Sequence, residues 1–524
     1  MKLIVIVLAS LMLSVSASAQ PQAAAFDLVV YGGTAGGVVT AIAAAREGLR
    51  VAIVEPGQHL GGMVSGGLGK TDYGKKEVIG GYSREFFERV GKAYGEPLSW
   101  YFEPHVAEQV LRAWVDESRV TVAYGERLHE KTAVERDGTR IVAIITERGT
   151  RFAARLFADA SYEADLMAQA GVSYTIGREG SAQYGESLAG RREQTPYHQF
   201  KVPVSAYDES GKLLPEIAPN DREPVGAPDK KVQAYNFRLC MTQVDGNRAP
   251  FPKPQGYDPA RYALLARYLR AWEASRGTPV RVDEVMAPDI VKHGKTDTNN
   301  NGAFSTDYIG GSYDYPDGDY ATRARIWQTH TTYVQGFMYF LANDPGVPDA
   351  LRREMNTWGL CRDEYTDNGG WPHQLYVREA RRMVGDFVMT QKDIQTDLTK
   401  PDAIGMGSYN SDSHNVQRIV NAQGTVENEG DMQVPVTPYQ IPYRLIVPKR
   451  EQATNLLVPV AFSASHVAYS TLRMEPQYMI IGQAAGVAAK LALDAGVAVQ
   501  DVDARKLTER LRQQGAIMEW RKPD

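Results

Sequence analysis

Cysteine is nearly absent: Cys240 and Cys361 are the only two in 524 residues. Neither lies in a C-x-x-C motif, which excludes a redox-active dithiol and a cysteine-built zinc cluster. Two cysteines this far apart can pair in an oxidising compartment, but only coordinates decide it. There is no basic run, and a net charge of −5 gives no footprint for nucleic acid. No internal repeat or low-complexity tract stands out, and no metal site is expected. Long apolar runs are also missing. The strongest, Leu3 to Val15, is too short to span a bilayer comfortably. It carries the marks of a signal peptide: Lys2 before it, and Ala17-Ser18-Ala19 as a small-residue cleavage site before Gln20. No twin-arginine pair precedes it, and no cysteine follows it for lipid attachment. The expectation is a signal peptide over 1–19 and an exported, periplasmic mature chain without a membrane span; an uncleaved anchor is the alternative.

What is present is ordinary for a globular protein, 43% hydrophobic and 23% charged, and long enough for more than one lobe. The most informative stretch is Asp27 to Glu55, DLVVYGGTAGGVVTAIAAAREGLRVAIVE. It reads as a strand (Leu28 to Tyr31), a glycine turn, a small-residue helix (Gly37 to Arg46), a second strand (Arg50 to Glu55) and a terminal acid. That is a dinucleotide-binding βαβ unit, in which a diphosphate sits on the helix N-terminus. Counted from Asp27, the G-x-G-x-x-G slots fall on Gly32, Thr34 and Gly37, so Thr34 replaces the middle glycine. A second register through Gly33 and Gly36 would lose the first glycine to Tyr31. The acid comes 23 residues after Gly32, about the spacing that brings a carboxylate to a ribose diol.

After the βαβ unit comes a glycine-rich loop, Gly57 to Gly74. Helices are predicted near Ser83 to Tyr94 and Pro104 to Glu117, and a third parallel strand over Val120 to Tyr124. Thr132 to Arg136 and Thr139 to Thr146 flank Asp137-Gly138, a strong hairpin signal. A further meander strand, Arg151 to Ala154, leads into Leu156 to Asp159. From about Val172 to Asn455 prolines, tyrosines and Asn/Asp/Gly clusters dominate, with helices expected near Asp258 to Arg276, Tyr320 to Leu341 and Leu375 to Val384. At Leu456 the small-residue pattern returns, and an amphipathic helix, Asp503 to Gln513, follows.

The fold class expected is α/β: a Rossmann-like FAD-binding domain, parallel sheet plus β-meander, with a large irregular α+β substrate lobe inserted. The cofactor domain is placed at 20–171 and 456–495, the substrate lobe at 172–455, and a C-terminal helix and tail at 496–524. Several runs carry a specific resemblance: YGGTAGGVVTAIAAAREG, HLGGMVSGGLGKTDYG, DASYEADLMAQAGVSYTIGRE, NNNGAFSTDYIGG, LYVREARRMVGDFVMTQKDI, SYNSDSHNVQR and SASHVAYSTLRMEPQYMIIGQAAGVAA. On these the chain resembles the FAD-dependent oxidoreductases of the glutathione-reductase-like superfamily, the xanthan-lyase-associated group. The resemblance covers nearly the whole chain beyond the signal segment and implies FAD as cofactor.

The cofactor-binding candidates are Gly32, Gly33, Thr34, Gly36, Gly37 and Glu55 at the turn. Gly61, Gly62 and Met63 follow, where glycines let the backbone approach the flavin and present N–H groups to it. Asp159 ends a strand facing the cleft and holds a ribityl hydroxyl in flavoproteins that this one resembles; a strand-end cap is the plainer role. Gly482, Gln483, Ala485 and Gly486 are read as a helix start aimed at the flavin N1–C2=O edge, or as tight helix packing. Among nine histidines, His466 leads as a proton acceptor, because it shortly precedes that helix. His414, in Asp412-Ser413-His414, and His373, after Trp371-Pro372, come next. Arg378, Arg381 and Arg382 are read onto one helix, Arg378 and Arg382 sharing a face, and either clamp an acidic substrate or pair with Glu379, Asp386 and the surface; pairing is preferred. Only one nucleotide fingerprint exists, so electrons are expected from a small-molecule substrate and leave to an acceptor the sequence does not name. An alcohol or sugar-like substrate is favoured. The alternatives are an amine or amino acid, redox-neutral flavin chemistry, and a non-catalytic flavin carrier.

Overall fold

Leu28, Val29 and Val30 have no solvent exposure and form the centre of β1 (Phe26–Tyr31). A strand buried on both faces needs parallel neighbours covered by helices. β1 has them in β2 (Val51–Glu55), with Leu28 opposite Val51, and in β6 (Arg151–Asp159), with Tyr31 opposite Asp159. A computed structural model provides this description, for residues 25–220 and 223–522; the signal segment expected over 1–19 lies outside them. β3 (Thr121–Tyr124) extends the sheet beyond β2, and the short strand Leu456–Leu457 pairs in parallel on the far side of β6. The chain thus returns to the first sheet after about 300 residues, as the pattern at Leu456 suggested.

β4 (Val134–Asp137) and β5 (Arg140–Ile145) form the expected hairpin and pair antiparallel onto β6. One expectation needs correcting. The meander strand at Arg151 and the parallel strand ending at Asp159 are a single nine-residue strand. Nothing between Phe152 and Ala158 breaks an extended chain, so one strand serves both layers.

The first helix, α1 (Ala35–Arg46), begins two residues before the expected Gly37 because Thr34 caps it. α2 (Met63–Gly66) is one turn in the glycine loop; α3 (Gly81–Ala93) and α4 (Pro104–Glu117) fall where predicted. The return helix runs Glu475–Ala495, so its N-terminus lies seven residues before Gly482, correcting the helix-start reading. Pro476 in its first turn is pre-set for a helix start, a stronger signal than the glycine. Gly482 and Gly486 sit at the crossing with α1: a Cβ at Gly482 would come 2.3 Å from the Gly36 carbonyl oxygen, and one at Gly486 2.4 Å from that of Thr40. Small residues let the two helices touch backbone to backbone.

In the lobe, Ala263–Arg276 and Tyr320–Asn343 are helical, the former behind a short 3-10 turn, Pro259–Tyr262. The third predicted helix, Leu375 to Val384, is not one. Apart from the two-residue strand Arg382–Met383, which pairs with Tyr174–Thr175, the segment is irregular. Its charged side chains find partners on several separate elements, and those tertiary bonds override helical propensity. A disulfide joins Cys240 to Cys361. The amphipathic helix Ala504–Gln513 is capped by Asp503. Among the described residues no helix is long and apolar enough to cross a membrane.

Candidate functional site

The nucleotide turn explains its own sequence. Gly32 has φ +94, and a Cβ there would strike the Ser161 backbone nitrogen at 2.7 Å. A Cβ on Gly37 would meet the Gly32 carbonyl at 2.0 Å. Thr34 fills the middle glycine slot for a structural reason. Its hydroxyl accepts from the Gly37 N–H at 3.1 Å, as the α1 N-cap, and donates to the Ala160 carbonyl at 2.8 Å. Gly36 packs against Tyr478 and Val460. The register through Gly32, Thr34 and Gly37 is therefore the structural one. Glu55 accepts from the Gly33 and Gly57 N–H groups, each at 2.6 Å. Burial pushes its carboxyl up to about 7, against those two hydrogen bonds.

A cavity of about 380 Å³ opens beside this turn, at the carboxyl ends of the strands. Tyr31 ends β1, Pro56 follows β2, and Arg127, Ser161 and Glu163 complete that wall. Ligands of open parallel sheets lie in this position.

The glycine loop is stitched to the turn: the Gly61 N–H donates to the Gly33 carbonyl at 2.7 Å. The Met63 N–H donates to the Tyr162 hydroxyl at 3.0 Å, and that hydroxyl donates to Glu475 Oε1 at 2.7 Å. The reading of Gly61 and Met63 as N–H donors to a flavin is corrected, since both groups are already bonded. A Cβ on Gly62 would strike the Tyr162 oxygen at 2.4 Å. Tyr162 thus ties this loop to the first turn of the return helix. Glu475 Oε2 and both amide atoms of Gln477 are buried there without a partner among the described residues. Burial pushes the Glu475 carboxyl up to about 8, its Tyr162 bond notwithstanding. Gln483 lies farther along; its Oε1 accepts from the Tyr82 N–H at 2.9 Å, a packing role, and Ala485 is fully buried. Asp159 takes the strand-end role. It accepts from the Ser161 hydroxyl at 2.7 Å and the Met167 N–H at 2.7 Å, in the short helix α5 (Asp165–Gln169).

His466 opens the short helix His466–Leu472 directly before the return helix. Its Nδ1 lies 2.9 Å from Glu379 Oε2, and its backbone N–H donates to Glu179 at 2.9 Å. Burial works to raise the Glu379 carboxyl, but His466 and Arg382 hold it down at about 2. Arg382 bonds Glu379 and, at 2.6 Å, Glu179. The preferred pairing of Arg382 with Glu379 is what the structure has, though in the core instead of at the surface. His414 makes a parallel arrangement. Its Nδ1 lies 2.7 Å from Asp307 Oδ2, and Arg378 stands on the other Asp307 oxygen. Burial, then Arg378, push the His414 ring down to about 4, so it is neutral near pH 7. Gln233 joins the two pairs. Its Nε2 donates to Glu379 at 2.8 Å and its Oε1 accepts from the His414 N–H at 3.1 Å. His373 stands apart, stacked on His59 with ring centroids 3.6 Å apart. Ligand atoms of His59, Glu108 and His373 gather within 4.8 Å, a grouping that their sequence spacing does not reveal.

The residues fit FAD. The turn offers a helix N-terminus with glycines where side chains would clash, Glu55 stands at the end of β2, and unpartnered polar atoms mark the start of the return helix. Gln233, Asp307, Tyr162 and Glu475 were not singled out by the sequence, and Glu379 was named only as a partner for the arginines. Glu475 had a signal, an acid opening an otherwise apolar helix. Gln233 and Asp307 lie in irregular segments with no periodicity to betray them.

The family model for the FAD dependent oxidoreductases matches residues 27–511, and the chain belongs to that family. Its fold is Rossmann-type α/β. No curated protein matches it. Among solved structures it is similar to THI4 from Thermovibrio ammonificans, at 16% identity over 29% of this chain and 66% of that one, with a TM-score of 0.23. It is also similar to an L-proline dehydrogenase from P. horikoshii, at 14% identity over 29% and 58%, with a TM-score of 0.24. A flavin-containing monooxygenase from Stenotrophomonas maltophilia matches at 18% over 30% and 43%, with a TM-score of 0.20. The chain spans less than two thirds of the length of each of these structures, and likenesses this partial carry no argument about its substrate.

Proposed function

We propose that this enzyme takes a hydride from a small organic substrate, with an imidazole held by a buried carboxylate accepting the accompanying proton. The observation that carries the reading is the pair of imidazole–carboxylate couples, His466–Glu379 and His414–Asp307, bridged by Gln233. A carboxylate on Nδ1 fixes the ring and its tautomer and leaves Nε2 to take the proton. FAD, when bound, supplies the hydride acceptor. Thr34, the α1 N-terminus and Glu55 would hold its diphosphate and ribose, and the first turn of the return helix its flavin end. His466 is the first choice, because its helix leads directly into that turn. A second reading takes His414, favoured by its neutrality and by its place beside Arg378.

We place the chain in the glutathione-reductase-like, xanthan-lyase-associated group, with 20–171 and 456–495 as cofactor domain and 172–455 as substrate lobe. The parallel pairing of Leu456–Leu457 with β6 supports this division. Export to the periplasm is supported by the signal pattern and by the Cys240–Cys361 disulfide, which suits an oxidising compartment. An alcohol or sugar-like substrate, hydroxy acids and sugar acids among them, is the preferred class.

The test is rapid anaerobic mixing with candidate substrates. His466→Ala should keep FAD bound and slow flavin reduction by roughly 10²–10⁴-fold. Reduction at the wild-type rate would remove His466 from the chemistry. His414→Ala is the parallel experiment, and a His414 base would show as an acid limb near pH 4.

A further inference from the structure

Arg378 is 1% exposed, and most of its guanidinium is unspent. Nη1 donates to the Ala234 carbonyl. It also lies 3.0 Å from Asp307 Oδ1, yet out of hydrogen-bond alignment, so that oxygen has no hydrogen-bond partner among the described residues. Nε and Nη2 are buried and without a partner among the described residues. Those two nitrogens form one edge of the guanidinium plane. Their parallel N–H bonds are the fork that a planar carboxylate fits with both oxygens. A buried charged donor pair left unmade is costly, so a fork in this state calls for an acceptor.

The surroundings narrow what that acceptor is. The guanidinium carbon sits 4.7 Å over the Tyr376 ring, which supports the fork from one face. Asp307 connects Arg378 to His414, a candidate base. The neighbouring guanidiniums are more fully engaged than Arg378: Arg238 donates to Asp297 at 2.7 Å, and Arg473, with only its Nε left over among the described residues, donates to the Asp412 carbonyl at 2.8 Å. Both repel Arg378, and burial disfavours its charge, with Asp307 and Tyr376 in partial compensation. Four carboxylates, Asp72, Asp297, Asp307 and Asp412, already face these three guanidiniums, so a singly charged carboxylate is easier to add at the fork than a doubly charged phosphate.

We propose that the substrate carries a carboxylate, gripped side-on by Nε and Nη2 of Arg378, with its oxidisable carbon held beside His414. The proposal rests on the oxidoreductase reading above and sharpens it: the substrate is an organic acid, such as a hydroxy acid, sugar acid or amino acid, and not a neutral alcohol or sugar. Of the two roles the sequence allowed the arginines, Arg382 takes the structural one and Arg378 the clamp.

The test uses FAD-loaded full-length enzyme and small carboxylates as probes: glycolate, D-gluconate, D-glucuronate and L-alanine. Each is titrated against its methyl ester or neutral counterpart at constant ionic strength, with inorganic phosphate as the anion control. Binding is read as a perturbation of the flavin band, and turnover as its anaerobic bleaching. The expected result is saturable binding of at least one free acid, at least tenfold tighter than its ester, and no comparable effect of phosphate. Arg378→Gln and Arg378→Lys should both weaken that binding, on the order of 10²-fold, while FAD content and spectrum stay unchanged. The lysine variant keeps the charge and loses the fork, so it separates a clamp from a mere cation. Equal binding of acid and ester by the wild-type enzyme, which needs no variant to fold, would overturn the proposal. So would loss of FAD from both variants, which would make flavin the partner of the fork. Neutral alcohols that bleach the flavin while no acid binds would sink the clamp and leave the oxidoreductase reading standing. Acids that bind through Arg378 with no substrate ever bleaching the flavin would do the reverse.

Discussion

At Thr34 one hydroxyl replaces a glycine and holds two elements, accepting from Gly37 and donating to Ala160. Thr34→Ala should cost about 1–2 kcal/mol in chemical denaturation, because it removes a helix cap and the bond to the end of β6. Glu55→Ala should weaken FAD binding by about 2–3 kcal/mol, through loss of charge-assisted bonds to the ribose; unchanged retention on dialysis would mean that Glu55 serves only the Gly33 and Gly57 N–H groups. The buried acids give opposite pH signatures. Asp307 and Glu379 are held at about 2, below their unfolded values, so the stability they contribute is present above about pH 4.5 and lost as pH falls through 2. Glu475 is raised to about 8; its contribution is complete below about 4.5 and lost as pH rises through 8. Denaturant melts of Glu475→Gln should show a flatter decline across that upper window, and a decline identical to wild type would show that Glu475 does not titrate there.

The crossing of α1 with the return helix is the element on which the cofactor end depends. Gly482→Val would drive a side chain into the Gly36 carbonyl, with a cost of about 1–3 kcal/mol or more and weakened FAD retention, read by thermal melting and flavin content. A variant as stable and as yellow as wild type would show that the contact yields freely. This element also marks how far the sequence could be read. Strands, turn and α1 were legible because periodicity and glycine spacing are local. The return helix was legible as a helix, but its start was misplaced by placing weight on Gly482 over Pro476. Leu375 to Val384 could not be read: apart from the Arg382–Glu379 pair within the segment, the partners of Arg378, Glu379 and Arg382 are distant, Asp307 at 71 residues, His466 at 87 and Glu179 at 203. The histidines could be nominated from sequence, whereas the carboxylates that orient them, and Gln233 between them, appear only when distant segments meet.

Across the whole molecule, the lobe is braced by the Cys240–Cys361 bond, which closes a separation of 121 residues. Reduction without denaturant should lower stability by about 2–4 kcal/mol while leaving the nucleotide turn intact; melting curves that coincide with and without reductant would remove that brace from the account. The larger arrangement puts one nucleotide turn beside a cleft at the carboxyl ends of the strands, with the glycine loop tied to the return helix through Tyr162, His466 held by Glu379 just before that helix, and His414 and an open arginine fork in the segments between. The central claim is that electrons pass from a small organic substrate in that cleft to bound FAD. It is tested most directly by anaerobic mixing of the FAD-loaded enzyme with a panel of hydroxy acids, sugar acids, amino acids and their neutral counterparts, followed at the flavin band. Bleaching by a substrate class, with one oxidised product per flavin reduced, is the predicted result. A folded protein that binds no FAD, or whose flavin stays oxidised while product accumulates, would contradict it.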